Sequence, residues 1–360
     1  MQKNNEKALF EVKNLTVEYH SGDAIIHAVS GVSFDLKPGE TLGLVGETGA
    51  GKTTIARASL RILPEYSVER VDGEILYNGE DVLKMNDGQL RKLRGEHISM
   101  IFQDPMTALN PVKTVISQIA EGYKEHHQCS TAEANQVAIR MLEMVGIVAQ
   151  RANDYPHQFS GGMKQRVVIA LALACSPKVL IADEPTTALD VTIQAQVLDL
   201  IKGLRDELGT AMILITHDLG IVADVCDKVC VIYAGRIVES GTKEDIFDHP
   251  THPYTQGLFA ALPDLEHNVH RLKPIEGLPP DPSEERKFCD FMDRCPHRCR
   301  ECKGFDKNTM IEVSPGHFTR CWMTEAPSGD GASGRPESSG HQHHHGHHEH
   351  GDATSNGEEA

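Results

Sequence analysis

The chain is predicted to be an α/β protein built on a mainly parallel sheet, and three observations carry that expectation. The apolar run Thr41-Leu42-Gly43-Leu44-Val45 leads through the glycine-rich Gly46-Glu47-Thr48-Gly49-Ala50-Gly51-Lys52-Thr53-Thr54 into a helix-forming segment, Ile55–Leu60. A second run, Lys178–Ala182, ends in the carboxylates Asp183 and Glu184 before Pro185, and a third, Met212–Thr216, ends at His217. Short apolar runs without polar alternation suit strands covered on both faces, the setting of a parallel sheet between helices.

Taken in order, the first element is an early strand ending at Tyr19. The glycine loop that follows fits G-x-x-x-x-G-K-[ST], whose backbone N–H groups close around a polyphosphate while the next helix adds its positive dipole end. Lys52 is then placed to reach β- and γ-phosphates, and Thr53 to ligate magnesium. Residues about 91–160 interrupt the core with helical sequence such as Ala132–Leu142. Phe159-Ser160-Gly161-Gly162-Met163-Lys164-Gln165-Arg166 precedes the apolar helix Val167–Ala174, so Ser160, Gly161 and Gly162 form a second anion-binding helix start. At the carboxyl end of the second strand, where open α/β sheets place ligand chemistry, Asp183 is suited to magnesium and Glu184 to polarising a water. Each motif has an ordinary counterpart, a glycine turn, a serine cap or a solvated strand end, and their ordered co-occurrence decides against those.

The Ser160 segment resembles the signature motif of ATP-binding cassette (ABC) ATPases, with Met163 where glutamine is commonest, as in the peptide-importer branch. Further residues resemble family motifs in the family's order. Gln103, in Met100–Pro105, resembles the Q-loop glutamine that touches magnesium and communicates with a membrane partner. Ala188-Leu189-Asp190 resembles the D-loop, His217 the switch histidine on the γ-phosphate, and Tyr19 the aromatic ring stacked on adenine. The resemblance covers residues 9 to about 245 and implies a P-loop ABC ATPase core with an inserted helical subdomain. It also implies hydrolysis of ATP with Mg2+ between two head-to-tail cassettes, each site taking Ser160-type donors from the opposite chain. The implied partners are a homologous ABC ATPase, two integral membrane permease subunits and an extracytoplasmic solute-binding protein. The implied location is peripheral, on the cytoplasmic face of the cell membrane. A single cassette argues against the twin-cassette translation and resistance factors.

Composition agrees with an enzyme of this kind. The 360 residues, 39% of them hydrophobic, suffice for one α/β core and an appended domain. The polar start Met1–Lys7 does not read as a signal peptide, and no apolar run approaches the roughly 20 residues that span a bilayer. A formal net charge of −17 argues against a general nucleic-acid-binding surface.

Residues 246–327 are expected to form a small cysteine-rich extension after the 1–245 nucleotide-binding domain. His249-Pro250-Thr251-His252-Pro253-Tyr254-Thr255 resembles the segment that follows the cassette in oligopeptide and dipeptide importer ATPases. Cys289, Cys295, Cys302 and Cys321 match the C-x5-C-x6-C pattern with a distant fourth cysteine that such proteins use for a [4Fe–4S] cluster. Four thiolates also suit tetrahedral Zn2+, and spacing alone leaves both open. Cys299 is surplus to the pattern and leaves the choice of four ligands open. Its Cys295-x3-Cys299-x2-Cys302 spacing resembles radical S-adenosylmethionine enzymes, but too few residues surround it for their barrel. Cys129, Cys175, Cys226 and Cys230 read as small apolar fillers.

From Ser328 the composition is that of a disordered tail, with His341, His343, His344, His345, His347, His348 and His350 able to bind nickel, zinc or copper. That cluster keeps a second reading open, a nickel importer ATPase. A soluble non-transport ABC ATPase with a metal-sensing domain is the alternative from another class.

Overall fold

The computed structural model describes residues 7–186, 190–261 and 274–324. Ala188 and Leu189 of the D-loop and the histidine-rich tail lie outside them.

Strands β1 (Phe10–Ser21), β2 (Ala24–Leu36), β4 (Val68–Tyr77) and β5 (Glu80–Asp81) form an antiparallel sheet in the order β2-β1-β4-β5. Between them run β3 (Thr41–Val45) and α1 (Lys52–Ser59). The helical interval holds α2 (Asp87–Lys92), β6 (Ile98–Ile101), α3 (Pro105–Ala108), α4 (Val115–His126), α5 (Thr131–Met144) and α6 (Gly161–Leu173). Then follow β7 (Val179–Asp183), α7 (Val191–Leu208), β8 (Ala211–Thr216), α8 (Leu219–Val225), β9 (Lys228–Tyr233), β10 (Arg236–Thr242), α9 (Lys243–Asp248) and α10 (Pro253–Ala260). The extension adds β11 (Ile311–Ser314) and β12 (His317–Thr319).

The large sheet has the order β11-β12-β10-β9-β3-β8-β7-β6. Its five strands from β9 to β6 are parallel, and β10, β12 and β11 continue it antiparallel. The mainly parallel expectation therefore holds for the central strands, while the edge and the smaller sheet are antiparallel.

Period-two alternation sends each central strand into two cores. Ala211, Ile213 and Ile215 of β8 join the core shared with the small sheet, and Met212 and Leu214 join the one shared with the helices. β7 divides the same way, with Val179 and Ile181 on one side and Leu180 and Ala182 on the other. Both faces are dry, which is why these runs lack polar residues. α5 begins where Ser130 and Glu133 form a capping box, and its buried stripe Ala134, Ala138, Met141 and Leu142 packs into the helical core. α6 is apolar on nearly every side and is correspondingly buried from Val167 to Leu173 apart from Leu171.

The described residues belong to one compact unit. The extension is built into the sheet: Glu239 and Ser240 of β10 pair with Thr319 and Phe318 of β12.

Candidate functional site

The glycine loop runs from the end of β3 to the start of α1, and two of its glycines are required sterically. Gly46 has φ 153°, and a Cβ there would lie 2.1 Å from the Ile232 carbonyl oxygen. Gly51 has φ 101°, and its Cβ would meet the Ala28 oxygen at 2.4 Å. Both obstacles are backbone, so only glycine lets the loop pass this close to β9 and β2. Lys52 is buried, and its Nζ donates to the carbonyls of Gly46 at 2.7 Å and Glu47 at 2.9 Å, folding the loop over its own ammonium.

The second half of the site comes from β7 and β8. Thr53 Oγ1 donates to Asp183 Oδ1 at 3.2 Å, joining the two residues expected to share magnesium. Glu184 adopts φ 46°, a left-handed conformation that costs a non-glycine residue roughly 1–3 kcal/mol. Its N–H donates to Ile215 O at 2.9 Å, and its carboxylate accepts from Gln103 Nε2 at 3.0 Å and lies 3.5 Å from His217 Nδ1. Strand edges far apart in sequence thus bring Gln103, Glu184 and His217 together.

Burial pulls the Lys52 ammonium below its ordinary value, against the opposing pull of Glu184, Asp183 and Glu47. Burial likewise pushes the Asp183 carboxyl up, with the Thr53 hydrogen bond opposing it. Both charged forms are short of solvation. A ligand that sets an anion beside Lys52 and a cation beside Asp183 relieves both, which is what a magnesium–polyphosphate provides.

The loop opens into a cavity of about 710 Å³ lined by Glu47 through Thr54, Gln103 and Glu184, by His27 and Ala28 of β2, and by Pro280 and Asp281 of the extension. Tyr19 does not line this cavity; it packs against the core of the small sheet. Ser160 and Gly161 are exposed at the start of α6 and also do not line it, although Ser160 caps the helix by accepting from Met163 N–H at 3.4 Å. Gln165, one turn further on, donates to Pro185 O at 2.6 Å and ties that helix to the Asp183–Glu184 turn. Asp190 precedes α7 as its N-cap.

Cys289, Cys295, Cys302 and Cys321 line a single small cavity of about 20 Å³, walled by Phe291, Phe305 and Trp322 and without a carboxylate. Cys299 is outside its lining, with its Sγ 3.3 Å from that of Cys302, and Trp322 Nε1–H donates to the Cys302 sulfur at 3.3 Å. The donor set fits a thiolate-held metal centre. The spacing is not yet that of one: among the described residues, no three His, Cys, Asp or Glu side chains stand together as ligands. A cavity of about one water has room for no more than a single ion, and a cluster requires the four thiols to spread. Burial pushes the Cys289 thiol up to about 12 and Cys321 to about 11, so metal-free they are protonated at neutral pH. Cys226 and Cys230 are buried among apolar side chains, as fillers should be.

Sequence reasoning missed the groups that dock the extension. Glu239, fully buried at a β-bulge, accepts from Thr251 N–H and Oγ1 at 2.7 Å each and from His252 N–H at 2.9 Å, with His317 Nε2 at 2.8 Å. This explains the His249–Thr255 motif: its turn wraps a buried carboxylate. Arg294 reaches Glu47 of the phosphate loop in two contacts of 2.8 and 3.0 Å. Nothing local signals either, because the partners are remote in sequence.

A family model described as ABC transporter matches residues 29–187, and one described as oligopeptide/dipeptide transporter, C-terminal region, matches residues 238–302. The chain is 48% identical over 322 residues to the dipeptide transport ATP-binding protein of Bacillus subtilis, covering 89% of this chain and 96% of that one. It is 46% identical over 317 residues to the oligopeptide transport ATP-binding protein of Escherichia coli, covering 88% and 93%. Among solved structures it is similar to the dimeric post-hydrolysis state of the ATP-binding cassette MJ0796 bound to ADP and Pi. The TM-score there is 0.58 at 28% identity, over 65% of this chain and 98% of that one.

Proposed function

Because the chain belongs to the ABC transporter ATP-binding proteins and hydrolyses ATP, we propose that it energises uptake of oligopeptides or dipeptides through partner membrane subunits. The observation that carries this is the near-half identity to peptide-transport ATP-binding proteins along almost nine-tenths of the chain, extension included. No helix among the described residues is long and apolar enough to cross a membrane, so translocation falls to other subunits. Those are two integral membrane permeases, fed by an extracytoplasmic solute-binding protein, with this chain peripheral on the cytoplasmic face.

In the reaction this chain's residues position and neutralise. Lys52 and the loop N–H groups hold the β- and γ-phosphates. Thr53 and Asp183, with Gln103, are the groups that would hold Mg2+, which offsets phosphate charge. Glu184 orients and polarises the attacking water from the strained turn that aims it, and His217 holds the γ-phosphate. Stacking of Tyr19 on adenine would require its ring to turn from the small-sheet core it packs against toward the cavity. The exposed Ser160 and Gly161, with the half-buried Gly162, serve the site of a second, homologous cassette, since they do not line their own chain's cavity.

The four cavity-lining cysteines would hold a [4Fe–4S] cluster, or Zn2+ as the alternative, once their thiols move into ligand spacing. The seven-histidine cluster of the tail supports a second cargo, nickel. Reconstitution of the complex with its solute-binding protein tests the cargo. Stimulation of ATPase activity and uptake by di- to pentapeptides supports peptide import, whereas stimulation by Ni2+ alone moves the assignment to nickel. ATPase activity independent of any permease would point to a non-transport cassette.

A further inference from the structure

We propose that Arg294 is a positioning residue for nucleotide binding, holding the phosphate loop in its binding shape through a bidentate pair with Glu47. Arg294 immediately precedes Cys295, far from the cassette motifs in sequence, yet its two guanidinium nitrogens meet both Glu47 carboxylate oxygens at 2.8 and 3.0 Å. The guanidinium is itself tightly held. It donates to Glu276 O at 3.0 Å, to Ile275 O at 3.3 Å and to Tyr233 Oη at 3.3 Å, and it packs near the rings of Tyr233 and Phe291. Only 6% of its side chain is exposed. Such a planar fork is the geometry in which arginine fixes a carboxylate in orientation as well as in distance.

Glu47 is held at its backbone as well. Its N–H donates to Tyr254 Oη at 2.9 Å, and its carbonyl accepts from Lys52 Nζ at 2.9 Å and from Ala50 N–H at 3.2 Å. Tyr254 is fully buried in an aromatic cluster with Tyr233 and Phe291, ring centroids 4.6 and 5.4 Å from its own. The loop between Gly46 and Gly51 contains three glycines with positive φ and on its own is free to sample many shapes. Two anchors from residues after the cassette remove that freedom before the nucleotide arrives, so ordering of the loop is not charged against binding. Lys52 shares the Glu47 carbonyl, so the clamp also sets the starting position of the phosphate-binding ammonium.

Removing the clamp should act on affinity and leave the chemical step alone, because Arg294 holds Glu47, Tyr233 and the carbonyls of Ile275 and Glu276, whereas the carboxylate suited to the attacking water is set by Gln103 and His217. In the assembled transporter, Glu47→Gln and Arg294→Gln are expected to raise KM for ATP about tenfold with kcat within about twofold. In the isolated full chain, each should raise the Kd of a fluorescent ATP analogue by a similar factor, and Arg294→Lys should fall between. The double variant should be no worse than either single one, since both break the same pair. Glu47→Gln leaves the other contacts of Arg294 in place, so it stays decisive if Arg294→Gln fails to fold. Unchanged KM and Kd in Glu47→Gln, with only thermal stability lowered, or additive losses in the double variant, overturns the proposal.

Discussion

Glu184 combines three features that single it out: a strained left-handed backbone, a carboxylate between Gln103 and His217, and a position one residue beyond the magnesium-suited Asp183. If it orients water while Lys52 binds phosphate, Glu184→Gln in the complex should lower turnover by about two to four orders of magnitude and keep ATP bound. Lys52→Ala should instead abolish nucleotide binding; equilibrium binding and single-turnover hydrolysis separate the two. His252 makes a different kind of prediction. Burial pulls its imidazole from 6.5 to about 4, and its neutral Nδ1 accepts from Tyr254 N–H at 3.1 Å. Between pH 6.5 and 4 the unfolded chain therefore takes up a proton that the folded chain refuses. Stability should decline as pH falls through this window, and His252→Asn, which keeps an acceptor, should flatten that decline in melting curves. Parallel curves for the two proteins would exclude His252 as the titrating group.

Helix α6 carries two functions at its two ends. Its apolar body is core, and its capped start is exposed and separate from its own chain's cavity. Ser160→Ala should cost about 1 kcal/mol through the lost cap. It should leave ATP affinity of the isolated chain unchanged and lower ATPase activity only in the assembled complex; an equal loss in both would refute service to a second site. Strand β10 has a comparable division. Its bulge at Glu239 directs a carboxylate into the turn at Thr251 and His252, so Glu239→Ala strands several buried donors and should cost about 3 kcal/mol. Calorimetry reads that loss directly.

Across the whole molecule the extension is welded to the cassette by β12 on β10, Phe291 in the helical core and Arg294 on the phosphate loop. Unfolding should therefore be a single transition for both. Protein purified without oxygen should be brown with about four irons per chain, and Cys289→Ser or Cys321→Ser should lose the metal and lower that one melting temperature. Stoichiometric zinc in colourless protein replaces the cluster by a single ion, and a separate low-temperature transition contradicts the welded architecture.

The sequence by itself determined the cassette, because its chemistry is written in short contiguous segments: a glycine loop that only glycine can thread, an apolar strand ending in two carboxylates, a capped helix after Ser160. Local sterics and period-two burial force these shapes wherever they occur. The four cysteines stand out in the sequence as a spacing, and in the fold they line one small cavity whose lining leaves Cys299 out. Only the tertiary structure decided that Tyr19 is left out of the cavity lining, that the extension joins the main sheet, and that Arg294, Tyr254 and Glu239 hold it to the phosphate loop and β10. Such contacts join residues separated by as many as 247 positions, and no local pattern encodes a partner that chain packing alone brings near.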